Sequence, residues 1–556
     1  GDHRDLHLSI RRQRQMCIRD SSILLLLTLC ASSCNQDSQS LFKKNTLTLF
    51  IVHNPQLAAY MQHVTELFKK TPSAVLADGS KIEINLISDN SLSASRRIGS
   101  GRLKVHGWLA PSTALVNYTN ANLNNLGPKQ TDCTQLFASP IVVATSKKNL
   151  AKFNSKDQVF SWKTLFPDPL KDKNPNTQKL LFNHSSPFAS ASGLASLIQL
   201  SYIALESPSI IRQEELAAPS ILSKLEQYER NATGYGYSDA TLLNQVAWAR
   251  NDKVHFTITS EQELAKFNQS RIKSGLDPLL ALYPQEGSYW IDYNMCLSEA
   301  DWLSPAHRKA MEVFTNFLTL ESSQMAAEAV GFRPSAGAVP LIPPLTSEYG
   351  INVSLGKTAL LPVSGETIGF LLQKWPELLK PAAVLFVMDT SGSMEGPSIR
   401  VGKTSFRNTI AATTFRDKKA LMSFATTPKL ESDFSTEGGQ IIQTLDKLQP
   451  QGGSAVYDAI LKASHYIQND SLKDFRKSII IFTDGGDKNS DVPLKRLLEN
   501  VKDIFNRNNI NLVIIAIGHD EDVTDLSAIA NAANGVFIQT SYDEVGVVFE
   551  RIRSLL

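Results

Sequence analysis

Apolar residues in this chain come in short unbroken runs, separated by stretches in which they recur at helical spacing. Residues 47–52, 82–87 and 105–110 each read as a strand. Between the first two, Leu57, Tyr60, Met61, Val64, Leu67 and Phe68 share one face of a helix. The same alternation returns near the C-terminus. Runs 382–388, 479–482 and 512–518 are apolar throughout, the pattern of strands covered on both faces of a parallel sheet. A helix face formed by Leu494, Leu497, Leu498, Val501, Ile504 and Phe505 falls among them, and 535–538 supplies a last strand. Strand–helix alternation in both halves predicts an α/β protein with largely parallel sheets.

Between the halves the pattern changes. Residues 336–380 carry Pro340, Pro343, Pro344 and Pro362, then the apolar run 368–372 and Trp375. A free linker is Gly/Ser-rich or strongly charged, and this stretch is neither. It predicts an ordered connector. Trp375 is expected to be buried against the first strand of the C-terminal domain, or against the lobe that contains the chain's beginning.

The chain's 556 residues exceed what one core supports. A formal charge of +2 and an ordinary charged fraction argue against a nucleic-acid binder, which shows a basic face. No apolar run approaches the roughly 20 residues of a spanning helix. Residues 11–21 resemble translated adapter sequence, and about the first 21 are set aside from fold reasoning. Residues 23–34 then give a short apolar core ending in small residues before Cys34. That pattern reads as a bacterial lipoprotein signal with Cys34 as the acylation site, the alternative being secretory cleavage near Ser33. Either reading predicts an exported protein, periplasmic or on the cell surface; the first holds it to the membrane by a lipid anchor only. With Cys17 and Cys30 in the leader, Cys133 and Cys296 remain as an even pair, for a disulfide or for two buried thiols.

Candidate chemistry concentrates after the run 382–388. Asp389, Ser391 and Ser393 alternate on the loop at that strand's carboxyl end, where open α/β sheets place ligands. Their donors are all hard oxygens, which suit Mg²⁺, or Mn²⁺ or Ca²⁺. A helix cap is the plainer reading of such a motif taken alone. Two later segments favour the metal: the glycine turn Gly452-Gly453-Ser454, which leads into a helix, and the strand 479–482 running into Thr483 and Asp484. In this order the three segments resemble the von Willebrand factor A domain with its metal-ion-dependent adhesion site. Position by position, the resemblance implies Asp389, Ser391, Ser393, Ser454 and Asp484 as metal ligands, with Ser454 where the family usually has Thr. It implies a doubly wound, Rossmann-like fold over 381–556, and a protein partner that supplies a carboxylate to the metal.

The segments 136–144, 161–165, 186–194, 283–287 and 324–334 resemble, in that order, the extracellular solute-binding proteins of transport systems. The resemblance implies a two-lobed, periplasmic-binding-protein-like domain over 46–335, entered by a crossing strand near 136–144 and left by one near 288–297. If those strands lie antiparallel, Cys133 and Cys296 meet and form a disulfide. The implied ligand is a small polar or anionic solute at a helix start, where free N–H groups and the dipole favour it. Candidate ligand residues are Asn54, Ser112, Thr113, Ser190, Ser192, Gly193 and Tyr237; Ser190 and Ser192 read equally as caps. The domains are then leader and signal at 1–34, solute-binding lobes at 46–335, connector at 336–380 and A domain at 381–556.

No H-E-x-x-H, G-x-S-x-G or Walker A pattern is present, and no His flanks the metal loops as a general base. The expectation is a non-enzymatic, envelope-anchored binding protein that captures a solute in its cleft and a partner at its metal. Such a fusion resembles the bacterial substrate-binding and VWA domain-containing proteins. The alternatives are a receptor delivering solute to a transport system, or an adhesin whose cleft no longer binds.

Overall fold

Two crossing strands build the first half of the molecule into two lobes. The computed structural model describes residues 46–123, 127–153, 155, 157–166, 180–207, 209–236, 238–247, 254–335, 341–518 and 523–552. In the first lobe β1 (Thr46–His53), β2 (Lys81–Ser88) and β3 (Gly107–Ala110) run parallel. The long β4 (Lys129–Thr145) leaves that lobe and enters the second. There it pairs with β8 (Phe256–Ser260) and β9 (Leu280–Pro284), in a sheet that also holds β5 (Val159–Phe160), β6 (Phe182–Ser185) and β7 (Ala232–Gly236). The return strand β10 (Trp290–Glu299) pairs antiparallel with β4 from Trp290 opposite Pro140 to Glu299 opposite Lys129; β11 (Arg333–Pro334) closes the hinge against β4. The resulting order is β2-β1-β3-β10-β4-β8-β6-β7. Cys133 and Cys296, on β4 and β10, are joined in a disulfide.

The C-terminal domain is one six-stranded sheet with helices on both faces. Its strands are β12 (Ala382–Asp389), β13 (Lys418–Phe424), β14 (Pro428–Ser435), β15 (Arg476–Thr483), β16 (Ile510–Ile517) and β17 (Val536–Thr540), in the order β14-β13-β12-β15-β16-β17. All pairings are parallel except that of the edge strand β14. Every residue of β12 is buried, as an apolar run between two helical layers requires. Odd and even positions of β12 feed separate cores: Leu385 and Val387 on one face, Val384 and Phe386 on the other. Because β12 turns toward β13 on one side and β15 on the other, the sheet's switch point lies at its carboxyl end. This is the doubly wound arrangement, following a two-lobed, periplasmic-binding-protein-like domain.

The connector is ordered wherever it is described. It passes beside the second lobe, where Leu360 N–H donates to the Ser288 carbonyl (2.9 Å) and Tyr202 Oη to the Leu361 carbonyl (2.6 Å). Ser364 then caps the helix Gly365–Leu378 by accepting from Thr367 N–H. Trp375 is 1% exposed, but it does not lie where the sequence placed it. Its ring packs on Phe188 and Tyr235 of the second lobe, at centroid distances of 5.7 and 5.0 Å, rather than on β12 or the lobe that carries the chain's beginning. The reason is polar as well as apolar: its indole N–H finds the buried Glu229 carboxylate there.

At the junction with the C-terminal domain, Arg416 donates to the carbonyls of Glu377 and Leu379, and Arg476 Nε to that of Lys380. These guanidinium groups meet carbonyls that a helix end leaves without intrahelical partners. Arg476 also lies over the Tyr235 ring at 5.4 Å. Lobes, connector and C-terminal domain belong to one compact unit.

Candidate functional site

The carboxyl edge of the C-terminal sheet brings together the five residues named as metal ligands. Asp389 ends β12, fully buried, and Ser391 N–H folds back to its Oδ1 at 2.8 Å. The Ser391 and Ser393 hydroxyls are 3.1 Å apart, and Ser393 Oγ donates to Asp484 Oδ1 at 2.9 Å. Ser454 Oγ reaches Asp389 Oδ2 at 3.5 Å. Ser393 is exposed, so the cluster opens to solvent on that side.

Local sequence explains the placement of Ser454. Gly452 has φ +75°, the left-handed region, and a Cβ there would lie 2.8 Å from Thr426 Oγ1. Gly453 N–H donates to Thr426 Oγ1, and Ser454 N–H to Asn489 Oδ1 at 3.0 Å. The turn is thereby pinned on both sides, and Ser454 precedes the helix Val456–Tyr466.

Asp389 has neutral hydrogen-bond partners: the Ser391 amide and the hydroxyls of Ser454 and Thr483. Burial, with the Asp484 charge adding to it, pushes its carboxyl up to about 6. A buried carboxylate facing a second carboxylate and a ring of hydroxyls is a donor set that fits a hard divalent cation. The residues that would hold it are Asp389, Ser391, Ser393, Ser454 and Asp484. Among the described residues no group of three or more His, Cys, Asp and Glu has metal-holding geometry, so a site here draws on hydroxyls.

Sequence reasoning passed over Thr483. Its hydroxyl donates to Asp389 Oδ2 at 2.6 Å and accepts from Gly485 N–H at 3.2 Å. The signal available was a hydroxyl residue ending an otherwise apolar strand. Asn489 and Thr426, which brace the glycine turn, carry no such signal.

The solute residues behave differently. Asn54 accepts from Gln56 N–H and donates to Ser91 Oγ (2.7 Å); Ser112 caps the helix Thr113–Ala121. Thr113 Oγ1 and N–H both turn to the Asp292 carboxylate. In the second lobe Ser190 caps the helix Ala191–Leu205 through Gly193 N–H, and Ser192 Oγ donates to Asp239 Oδ1 at 2.9 Å. Each is satisfied by neighbours within the two-lobed domain, and Asn54, Ser112, Ser190 and Ser192 are buried. Tyr237 and Cys34 lie outside the described residues.

Asp239, which sequence reasoning did not single out, changes the electrostatics of the second lobe's edge. It accepts from Ser192 and Thr259, with burial raising its carboxyl. Glu263 stands nearby on the helix Glu261–Lys273, pushed up to about 7 by burial and by Asp239. The polar groups at this helix start therefore already serve a carboxylate of the protein itself. A cavity of about 300 Å³ lies elsewhere in this lobe, lined by Trp162, Tyr202, Ile203, Glu286 and Leu360 among others.

Comparison with known proteins agrees with the C-terminal geometry. The family model for the von Willebrand factor type A domain matches residues 384–486, which run from β12 through Asp484. The chain therefore carries a von Willebrand factor A domain. Mouse inter-alpha-trypsin inhibitor heavy chain H2 is 27% identical over 174 residues, 29% of this chain and 18% of that protein. The human protein of the same name is 26% identical over 167 residues. This chain thus spans less than a fifth of the length of the curated relatives it matches. Among solved structures, the von Willebrand factor type A protein of Catenulispora acidiphila has a TM-score of 0.29 at 18% identity, covering 32% of this chain and 42% of that one. The periplasmic binding protein AfuA of Actinobacillus pleuropneumoniae has a TM-score of 0.42 at 13% identity, covering 60% of this chain and 99% of that one.

Proposed function

We propose that the protein is an exported binding protein whose A domain captures a protein partner through a divalent metal, with Mg²⁺ the expected ion. The observation that carries this reading is the buried Asp389, set among neutral hydroxyls and facing Asp484 at the sheet edge. A bound cation would neutralise both carboxylates and leave the exposed Ser393 side open to a carboxylate from the partner. In this reading the chemistry is adhesion rather than hydrolysis; no His is among the residues that would hold the ion. Attachment to the envelope through Cys34 belongs to the same proposal.

In this reading the two-lobed domain holds a small polar solute. Asp239 and Glu263 favour a solute that donates hydrogen bonds over an anion, because burying a further negative charge beside them is costly. The internal hydrogen bonds of Asn54, Ser112 and Ser190 favour a second reading, an adhesin whose cleft is a spacer. Thermal denaturation with panels of neutral sugars, amines and phosphate separates the two. A ligand that binds the native state alone raises stability by RT ln(1 + [L]/Kd). A shift with any panel member supports the solute-binding reading, and no shift with retained Mg²⁺-dependent capture supports the spacer.

A further inference from the structure

The connector helix Gly365–Leu378 touches both lobes. On the first lobe it lies against the helix Thr113–Ala121 so closely that a Cβ at Gly365 would stand 2.6 Å from Tyr118 N and 2.7 Å from Asn117 C. One turn on, Gly369 passes the Tyr118 ring, with a built Cβ at 3.4 Å. On the second lobe Thr367 Oγ1 donates to the Ile211 carbonyl at 3.4 Å, and Trp375 sits among Phe188, Tyr235 and Glu229. Ile368, Leu371, Leu372, Trp375 and Leu378 join a single apolar cluster that contains core residues of both lobes.

Phe188 links this helix to the cleft. It lies on the turn just before Ser190, packs on Trp375, and has the guanidinium of Arg96, from the first lobe, 5.7 Å from its ring centroid. The loop that opens the second lobe's candidate solute helix is therefore held between the first lobe and the connector.

We propose that this helix is a strap that keeps the two lobes closed, and that solute enters or leaves only when the strap comes off one of them. The inference rests on the solute-binding reading and adds a gate to it. Two hinge strands, β4 and β10, permit the lobes to rotate about residues near Pro140 and Trp290. A helix packed on Tyr118 of one lobe and on Phe188 and Glu229 of the other opposes that rotation, because opening must break one set of contacts. The strap is also fixed at its far end, where Arg416 of the A domain holds the Glu377 carbonyl and Arg476 holds that of Lys380 just beyond the helix. Gly365 is the weak point, since its backbone approach to Tyr118 leaves no room for a Cβ, whereas a Cβ at Gly369 would make an ordinary contact with the ring.

The test is hydrogen exchange on the full chain carrying Gly365→Val, which forces the strap away from Tyr118. Gly439→Val is the control, because a Cβ at Gly439 meets nothing within 4 Å. The proposal expects at least tenfold faster exchange at 54–57, 113–121 and 186–193 in Gly365→Val, with the A-domain strands and the Gly439→Val protein unchanged. Faster exchange in the strap alone, with both lobes protected as in the wild type, overturns it. If Gly365→Val does not fold, Gly369→Val applies a milder push on the same ring, and the same two outcomes decide. A strap that fails this test leaves the solute-binding reading standing, because the ligand panel judges that reading separately. A strap that passes while no ligand shifts stability makes the helix a lock on a spacer, and the gate is rejected.

Discussion

Trp375 Nε1 donates a 3.3 Å hydrogen bond to Glu229 Oε1, joining residues 146 positions apart. Glu229 is fully buried and also receives Tyr235 Oη at 2.6 Å, with His184 Nε2 at 3.3 Å. The connector is thus docked by a large apolar ring and by a buried carboxyl group whose hydrogen bonding the ring helps to satisfy. Trp375→Phe keeps most of the ring and removes the donor. It should lower the stability of the two-lobed domain by about 1–3 kcal/mol, the usual cost of depriving a buried polar group of a partner. Trp375→Ala should cost more, about 3–5 kcal/mol. Denaturant unfolding followed by fluorescence checks both; equal losses would assign the whole effect to the lost donor, and no loss in Trp375→Phe would assign it to packing.

The Asp389 carboxyl is raised to about 6, chiefly by burial, so the metal-free fold prefers it protonated. The sign follows directly. Its contribution to stability is fully present below its unfolded value near 3.8 and is lost as pH rises through about 6. Metal-free protein at pH 7.5 should be less stable than at pH 5 by roughly 1.4 kcal/mol from this group. Asp389→Asn should remove that pH dependence and stabilise the metal-free A domain at neutral pH. Melting curves in chelator between pH 4.5 and 8 provide the check, and a wild-type domain that gains stability across that range would contradict the account.

Four A-domain strands, β12, β15, β16 and β17, could be read from sequence because each shows a local apolar run, and the five metal candidates implied by the resemblance come together at one sheet edge. Apolar runs two layers deep can be little else than buried strands, and their carboxyl ends must carry Asp389 and Asp484. What escaped was set by contacts remote in sequence. That Trp375 must be buried was legible from its apolar neighbours, whereas its seat depended on Glu229, a glutamate with nothing local to mark it as buried. Ser112 and Ser190 illustrate the other limit: a helix start that binds a ligand and one that merely caps itself share the same residues. The half-buried edge strand β14 gave no apolar run to notice.

Thr483 braces the proposed metal site without standing among its proposed ligands. Its hydroxyl holds Asp389 Oδ2 at 2.6 Å, so Thr483→Val leaves that oxygen only the longer contact to Ser454 while keeping the side chain's shape. Metal affinity should fall about 10–100-fold, the usual effect of removing an outer partner that orients a ligand. Calorimetric titration with Mn²⁺ measures this, and unchanged affinity would show that Asp389 needs no such positioning.

The disulfide between Cys133 and Cys296 closes a span of 163 residues across the hinge strands. Replacing both cysteines by Ala should lower the stability of the two-lobed domain by about 2–5 kcal/mol, mainly by freeing the unfolded chain. The A domain should melt as before. Differential scanning calorimetry resolves the two transitions, and a drop confined to the A domain would contradict this picture.

The central claim is that the edge of the A domain holds a divalent cation between Asp389 and Asp484. Titrating Mn²⁺ into chelator-treated protein, read by the loss of the free-ion paramagnetic signal, tests it without knowledge of any partner. The account predicts one tight site in the wild type that is lost in Asp389→Ala, with the variant's far-ultraviolet dichroism unchanged. A folded Asp389→Ala that binds Mn²⁺ as tightly as the wild type, or a wild type that binds none, would contradict it.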